Sequence, residues 1–86
     1  MDDDKKGRLE RLKIKYYLYL QLRDPKQVKW TVENHQGIQT ASFYLTNAIE
    51  KAIKEGNVEE AEEKFEEFTE LDRVAYTLGR KHWGEI

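Results

Sequence analysis

Between residues 13 and 29 the chain sets cations and phenols at alternate positions: Lys13, Lys15, Tyr17, Tyr19 and Arg23, with Gln21 among them and Lys29 beyond. Lysine and arginine neutralise phosphates, and a tyrosine ring offers a flat face on which an unpaired base stacks for about 1–3 kcal/mol. On a strand these side chains project to one side. That predicts a basic, aromatic surface suited to single-stranded nucleic acid or to an acidic protein surface; the plain alternative is a solvated face whose tyrosines serve cross-strand packing. Trp83, in the cationic segment Arg80-Lys81-His82-Trp83, joins it as a candidate anchor for a partner, against the simpler reading that it covers one end of the fold.

Other chemistry is thin. The chain has no cysteine, which removes disulfides, thiolate metal sites and thiol nucleophiles together. His35 and His82 are isolated, and the residues three before them are Val32 and Gly79 rather than the glutamates a di-iron helix pair supplies. Ser42 lies near a predicted helix start, where capping or exposure accounts for it. Gly37, Gly56, Gly79 and Gly84 are too scattered for a phosphate loop. Glu59, Glu60, Glu62, Glu63, Glu66, Glu67 and Glu70 crowd one helical stretch without the glycine-turned loop that gathers calcium ligands. They predict a solvated helix face, with mimicry of nucleic acid as the functional alternative. No catalytic residue, metal or cofactor is expected.

A chain of 86 residues is one domain. At this size only about 60–65% of the unfolded surface is buried, so stability rests on good helix packing, on self-association, or on both. A homo-oligomer is the expectation. The net charge of −2 hides a segregation: residues 5–31 hold nine basic side chains against two acidic ones, and residues 50–72 hold ten acidic against three basic. No apolar run reaches the ~18–20 residues of a membrane span, and Met1-Asp2-Asp3-Asp4-Lys5-Lys6 lacks the pattern of a secretory leader, which predicts a cytoplasmic protein with no membrane partner.

The elements that must position these residues follow from periodicity. Residues 1–8 read as a flexible lead-in. Ile14, Tyr16, Leu18, Leu20 and Leu22 alternate with polar residues, as do Val28, Trp30 and Val32 after Asp24-Pro25-Lys26. Two alternating runs flanking a proline turn predict an antiparallel β-hairpin over about 12–33. The rival is a helix over 8–23, since Leu9, Leu12, Tyr16 and Leu20 also keep helical spacing, with Asp24 capping a further helix from Pro25. From Ile38 the period becomes helical, predicting helices over about 38–55 and 58–79 joined at Gly56-Asn57 as an αα-hairpin. The predicted class is α+β, with an all-α three- or four-helix bundle as the alternative.

Lys54-Glu55-Gly56-Asn57-Val58-Glu59-Glu60-Ala61, followed by Phe65 and Leu71-Asp72, resembles the inter-helix turn and second helix of a tetratricopeptide repeat. The resemblance occurs once and implies αα-hairpin geometry, with no function attached. The expected function is that of a small non-enzymatic regulatory or adaptor protein acting by stoichiometric protein–protein contact, as an inhibitor or a subunit of a complex. The alternative is a single-stranded nucleic-acid binder using the basic tyrosine-rich strand face.

Overall fold

The strand pair expected over 12–33 is replaced by two helices. In a computed structural model, which describes the backbone of residues 2–83 and the side chains of residues 4–80, the order is α1 (Asp2–Leu22), α2 (Pro25–Asn34), α3 (Gln36–Glu55) and α4 (Val58–Trp83). Among the described residues there is no strand, so the α+β class and its β-hairpin are overturned and the all-α alternative describes the chain.

The reason lies in α1. Its inward side carries Leu12, Tyr16 and Leu20, each four residues from the next; its outward side carries Ile14, Leu18 and Leu22 at the same spacing. Either set alone is a helical stripe. Offset by two residues, the two stripes interleave at 12, 14, 16, 18, 20 and 22, and a period of four read twice becomes a period of two. The lead-in expected over 1–8 forms the first turns of the same helix from Asp2 onward.

Asp24-Pro25 starts α2 instead of a β-turn. The Asp24 carboxylate accepts the Lys26 backbone N–H at 2.9 Å, and Pro25 occupies the first helical turn, where its missing N–H leaves no bond unmade. The α3–α4 connection is as the spacing predicts. Gly56 takes the left-handed φ of 75°, its N–H bonds to the Ile53 carbonyl at 3.2 Å, and Asn57 N–H reaches back to the Ala52 carbonyl at 2.8 Å. Asn57 then caps α4: its Oδ1 accepts the Glu60 N–H and its Nδ2 donates to the Glu60 carboxylate, both at 3.2 Å.

The resulting α3–α4 hairpin is the platform. α1 lies along it, closing one cluster of Tyr16, Leu45, Ile49 and Phe68 and a second of Leu12, Ala52 and Ala61. α1 and α4 run parallel, because Arg8 meets Glu62 and Tyr19 meets Asp72 at nearly constant separation in sequence. α2 closes the end, with Gln27 Nε2 donating to the Asp72 carbonyl at 3.1 Å. The molecule is a slab of 47 × 22 × 15 Å, too thin for a further layer over α1.

Tyr16 is fully buried, yet among the described residues its hydroxyl finds no hydrogen-bond partner. Burial, and secondarily Glu50, pushes its phenol up to about 12. A folded value above the unfolded one of about 10 means that the tyrosine's contribution is intact below pH 10 and is lost as pH rises from 10 to 12. Tyr16→Phe removes the unsatisfied hydroxyl while keeping the ring. It is expected to raise stability by about 1 kcal/mol at pH 7, with the advantage over wild type widening between pH 10 and 12. Urea denaturation across that range checks both; a loss of stability at pH 7 would show that the hydroxyl does have a partner.

Candidate interaction surfaces

Alternate positions on a helix lie 200° apart, so the predicted basic, aromatic face does not form. Tyr19 and Arg23 turn inward. The Tyr19 hydroxyl donates to Asp72 Oδ2 at 2.8 Å, and Arg23 Nη2 donates to Oδ1 at 2.9 Å, with its guanidinium 5.1 Å from the centre of the Phe68 ring. Asp72 is buried, and Arg23 Nε has no partner of its own among the described residues. Burial first, and the bond to Asp72 second, raise the Tyr19 phenol well above its ordinary value. This is a polar lock among α1, α2 and α4, not a ligand face.

The other predicted binding residues scatter. Lys13 stands 3.9 Å from Glu10 on its own helix, and Lys15 is exposed. Tyr17 is half-exposed with its ring edge-on to Tyr16 at 5.0 Å, and Lys29 is exposed on α2. The side chain of Trp83 lies outside the described residues.

The glutamates divide as well. Glu59 and Glu62 face α1, where Lys5 approaches Glu59 at 3.3 Å and Arg8 makes a two-pronged pair with Glu62, one prong at 3.1 Å. Arg8's hydrogen bonds hold Glu62 below the ordinary carboxylate range; the Glu59 carboxylate is lowered by its own backbone N–H and then by Lys5. Both pairs are well exposed, so their contribution to stability is small.

Two surfaces emerge that the sequence does not mark as sites. The first is the outer stripe of α1: Ile14, Leu18 and Leu22 are 67%, 51% and 74% exposed. Arg11 and Lys15 lie to the α4 side of it, where with Arg8 they line a groove shared with Glu62 and Glu66 of the same chain. These three apolar residues are expected, on the strand reading, to face the core. The available signal is their four-residue spacing beside a second stripe of equal spacing.

The second is a groove of about 510 Å³ lined wholly by α3 and α4 residues. Ala41, Leu45, Leu71 and Val74 form its floor, and Glu63, Glu66, Glu67 and Glu70 its rim. Lys64 pairs with Glu67 at 3.1 Å, which raises the lysine's pKa, and Arg73 pairs with Glu70 at 3.0 Å. Glu63 and Glu66 have no ion pair among the described residues. The acidic face therefore encloses an apolar floor, which a plainly solvated face lacks.

His35 is a connector: its N–H bonds to the Thr31 carbonyl at 2.8 Å, its carbonyl accepts Gln39 N–H at 3.0 Å, and its ring leans on Trp30 at 4.9 Å. Among the described residues no group of three or more histidine, aspartate or glutamate side chains is placed to hold a metal, and no helix is long and apolar enough to cross a membrane. Comparison with family models, with curated proteins and with solved structures finds no match to this chain.

Proposed function

We propose that the chain is a small non-enzymatic binding protein that acts by stoichiometric protein–protein contact, as a regulator, adaptor or subunit of a larger assembly, through the outer face of α1. The observation that supports this is the exposed stripe Ile14, Leu18 and Leu22. A helix side that meets only water needs no apolar residues, and full burial of each aliphatic side chain contributes about 1.5–3 kcal/mol. Three such residues four apart make a seam about 12 Å long, the form in which one helix meets a groove or another helix. The nucleic-acid alternative drew on a strand face that a helix does not provide, and no observation favours it.

The reading is tested by placing a photo-crosslinking residue at position 18, with one at exposed Glu33 on α2 as control. Irradiation in an extract of the cells that make the protein is expected to give one discrete protein adduct from position 18 and none from position 33. Equal, diffuse labelling at both positions would overturn it.

A further inference from the structure

We infer that the α3–α4 groove is a second docking surface, separate from the outer face of α1, and that its occupant is a basic amphipathic helix of another protein. The charge lining it is of one sign: Glu63, Glu66, Glu67 and Glu70 line the groove and, among the described residues, no cation does. The α1–α4 groove is the contrast, since there Arg8, Arg11 and Lys15 meet Glu62 and Glu66 within one chain. Those cations are engaged at home, so a second copy of the chain brings no spare basic stripe from α1. Lys64 and Arg73 reach Glu67 and Glu70 from outside the lining, through surface pairs three residues apart that contribute little. Glu66 is shared with the α1–α4 groove, and Glu63 makes no salt bridge among the described residues. An acidic wall over an apolar floor is what remains for a partner to meet.

The form of the groove selects a helix. Every carboxylate comes from α4, whereas α3 contributes only Ala41 and Leu45, so one wall is acidic and the other neutral. Glu63, Glu67 and Glu70 follow one another at four and three residues, the spacing of successive turns, over about 10 Å of axis. On the floor, Val74 is half exposed, and Leu78, equally exposed one turn further on, prolongs it. From Glu63 to Val74 the groove runs about 16 Å, three turns of helix. An occupant that suits both walls carries aliphatic residues at three and four along one side, and lysine or arginine along the flank that meets α4. Nucleic acid and anionic lipid are repelled by the same carboxylates. No described residue of α1 lines the groove, so the two surfaces share no side chain, and a chain with both filled joins two proteins as an adaptor.

The test uses the purified chain and a labelled synthetic helix of about 18 residues with a leucine stripe and a lysine flank, read by fluorescence anisotropy. Two control peptides replace either every lysine by glutamate or every leucine by alanine. The leucine–lysine helix is expected to bind, and each control to bind at least about 10-fold more weakly, since wall and floor both contribute. Glu63→Lys and Val74→Gln should each weaken the first peptide by about 10-fold or more. Both side chains are exposed, and circular dichroism melting is expected to match wild type. Glu33→Lys makes the same charge change on α2, away from the groove, and should leave affinity within about twofold, as should Leu18→Gln on the outer face of α1. No binding, equal binding of the alanine control, or equal weakening by Glu33→Lys and Glu63→Lys overturns the inference, because attraction between net charges then accounts for the result. If Leu18→Gln weakens the peptide and Val74→Gln does not, the helix sits on α1, and the groove is overturned while the reading of α1 stands. Peptide binding that survives loss of the discrete adduct from position 18 upholds the groove and ends the reading of α1.

Discussion

Phe68→Ala is expected to destabilise the fold by about 3–5 kcal/mol, the loss typical of deleting a fully buried ring. Phe68 is fully buried at the point where three helices meet. Its ring takes Tyr19 edge-on at 5.7 Å and Tyr16 at 6.4 Å, lies against Leu45 and Ile49 of α3, and carries the Arg23 guanidinium over its face. Truncation leaves a hole that none of these can fill without moving a helix. A domain of this size is stable by roughly 4–13 kcal/mol, so the loss takes a large part of the total. At about 4–8 °C per kcal/mol the melting temperature should fall by at least about 12 °C. Phe43→Ala is the control: that ring is 65% exposed on α3, and its removal should shift stability by less than about 0.5 kcal/mol. If Phe68→Ala lost under 1 kcal/mol, α1 would not be seated on the hairpin as described.

The α3–α4 hairpin is legible in the sequence because each helix buries one stripe and Gly56-Asn57 admits one interpretation, a left-handed terminus followed by a cap. α1 is not legible for the opposite reason: it has two apolar sides, and period analysis assumes one. Asp24-Pro25 is ambiguous by its own chemistry. A proline with φ near −65° suits the second position of a β-turn and the first turn of a helix equally, and an aspartate is favoured before both. Only the fate of the residues around it decides.

The charge segregation is likewise visible in sequence, but its meaning changes in space. Residues 5–31 and 50–72 are far apart along the chain and side by side in the fold, since α1 lies parallel to α4. Part of the apparent dipole is spent in Lys5–Glu59, Arg8–Glu62 and Arg23–Asp72. Arg11 and Lys15, which make no salt bridge among the described residues, face the same acidic helix across the α1–α4 groove that Glu62 and Glu66 line. Tyr19, singled out for a ligand, is inside for the same reason that Leu12 and Tyr16 are, since positions 12, 16 and 19 lie on one side of α1; Arg23, just past the end of that helix, is drawn in by Asp72.

Asp72→Ala is expected to cost about 3 kcal/mol, and its consequences should reach the surface of α1. The carboxylate serves two donors at once, the Tyr19 hydroxyl at 2.8 Å and Arg23 Nη2 at 2.9 Å, while the Asp72 carbonyl holds Gln27 of α2. Removing it strands a guanidinium whose side chain is 21% exposed, so partial rehydration keeps the loss at the lower end for a broken buried pair. Replacing the set together, with Tyr19→Phe, Arg23→Met and Asp72→Leu, should recover most of that stability, because apolar groups of similar volume leave nothing unsatisfied. If the triple variant is no more stable than Asp72→Ala alone, the lock does not work by mutual satisfaction. Arg23 also sets how α1 is rotated about its axis: with Arg23 and Tyr19 held inward by Asp72, Ile14, Leu18 and Leu22 can only face out. In Asp72→Ala, faster amide hydrogen exchange should therefore appear in α2 and the last turn of α1, and the discrete adduct from position 18 should become diffuse. A stability loss that left that adduct unchanged would mean that packing alone, without the lock, fixes the face α1 presents.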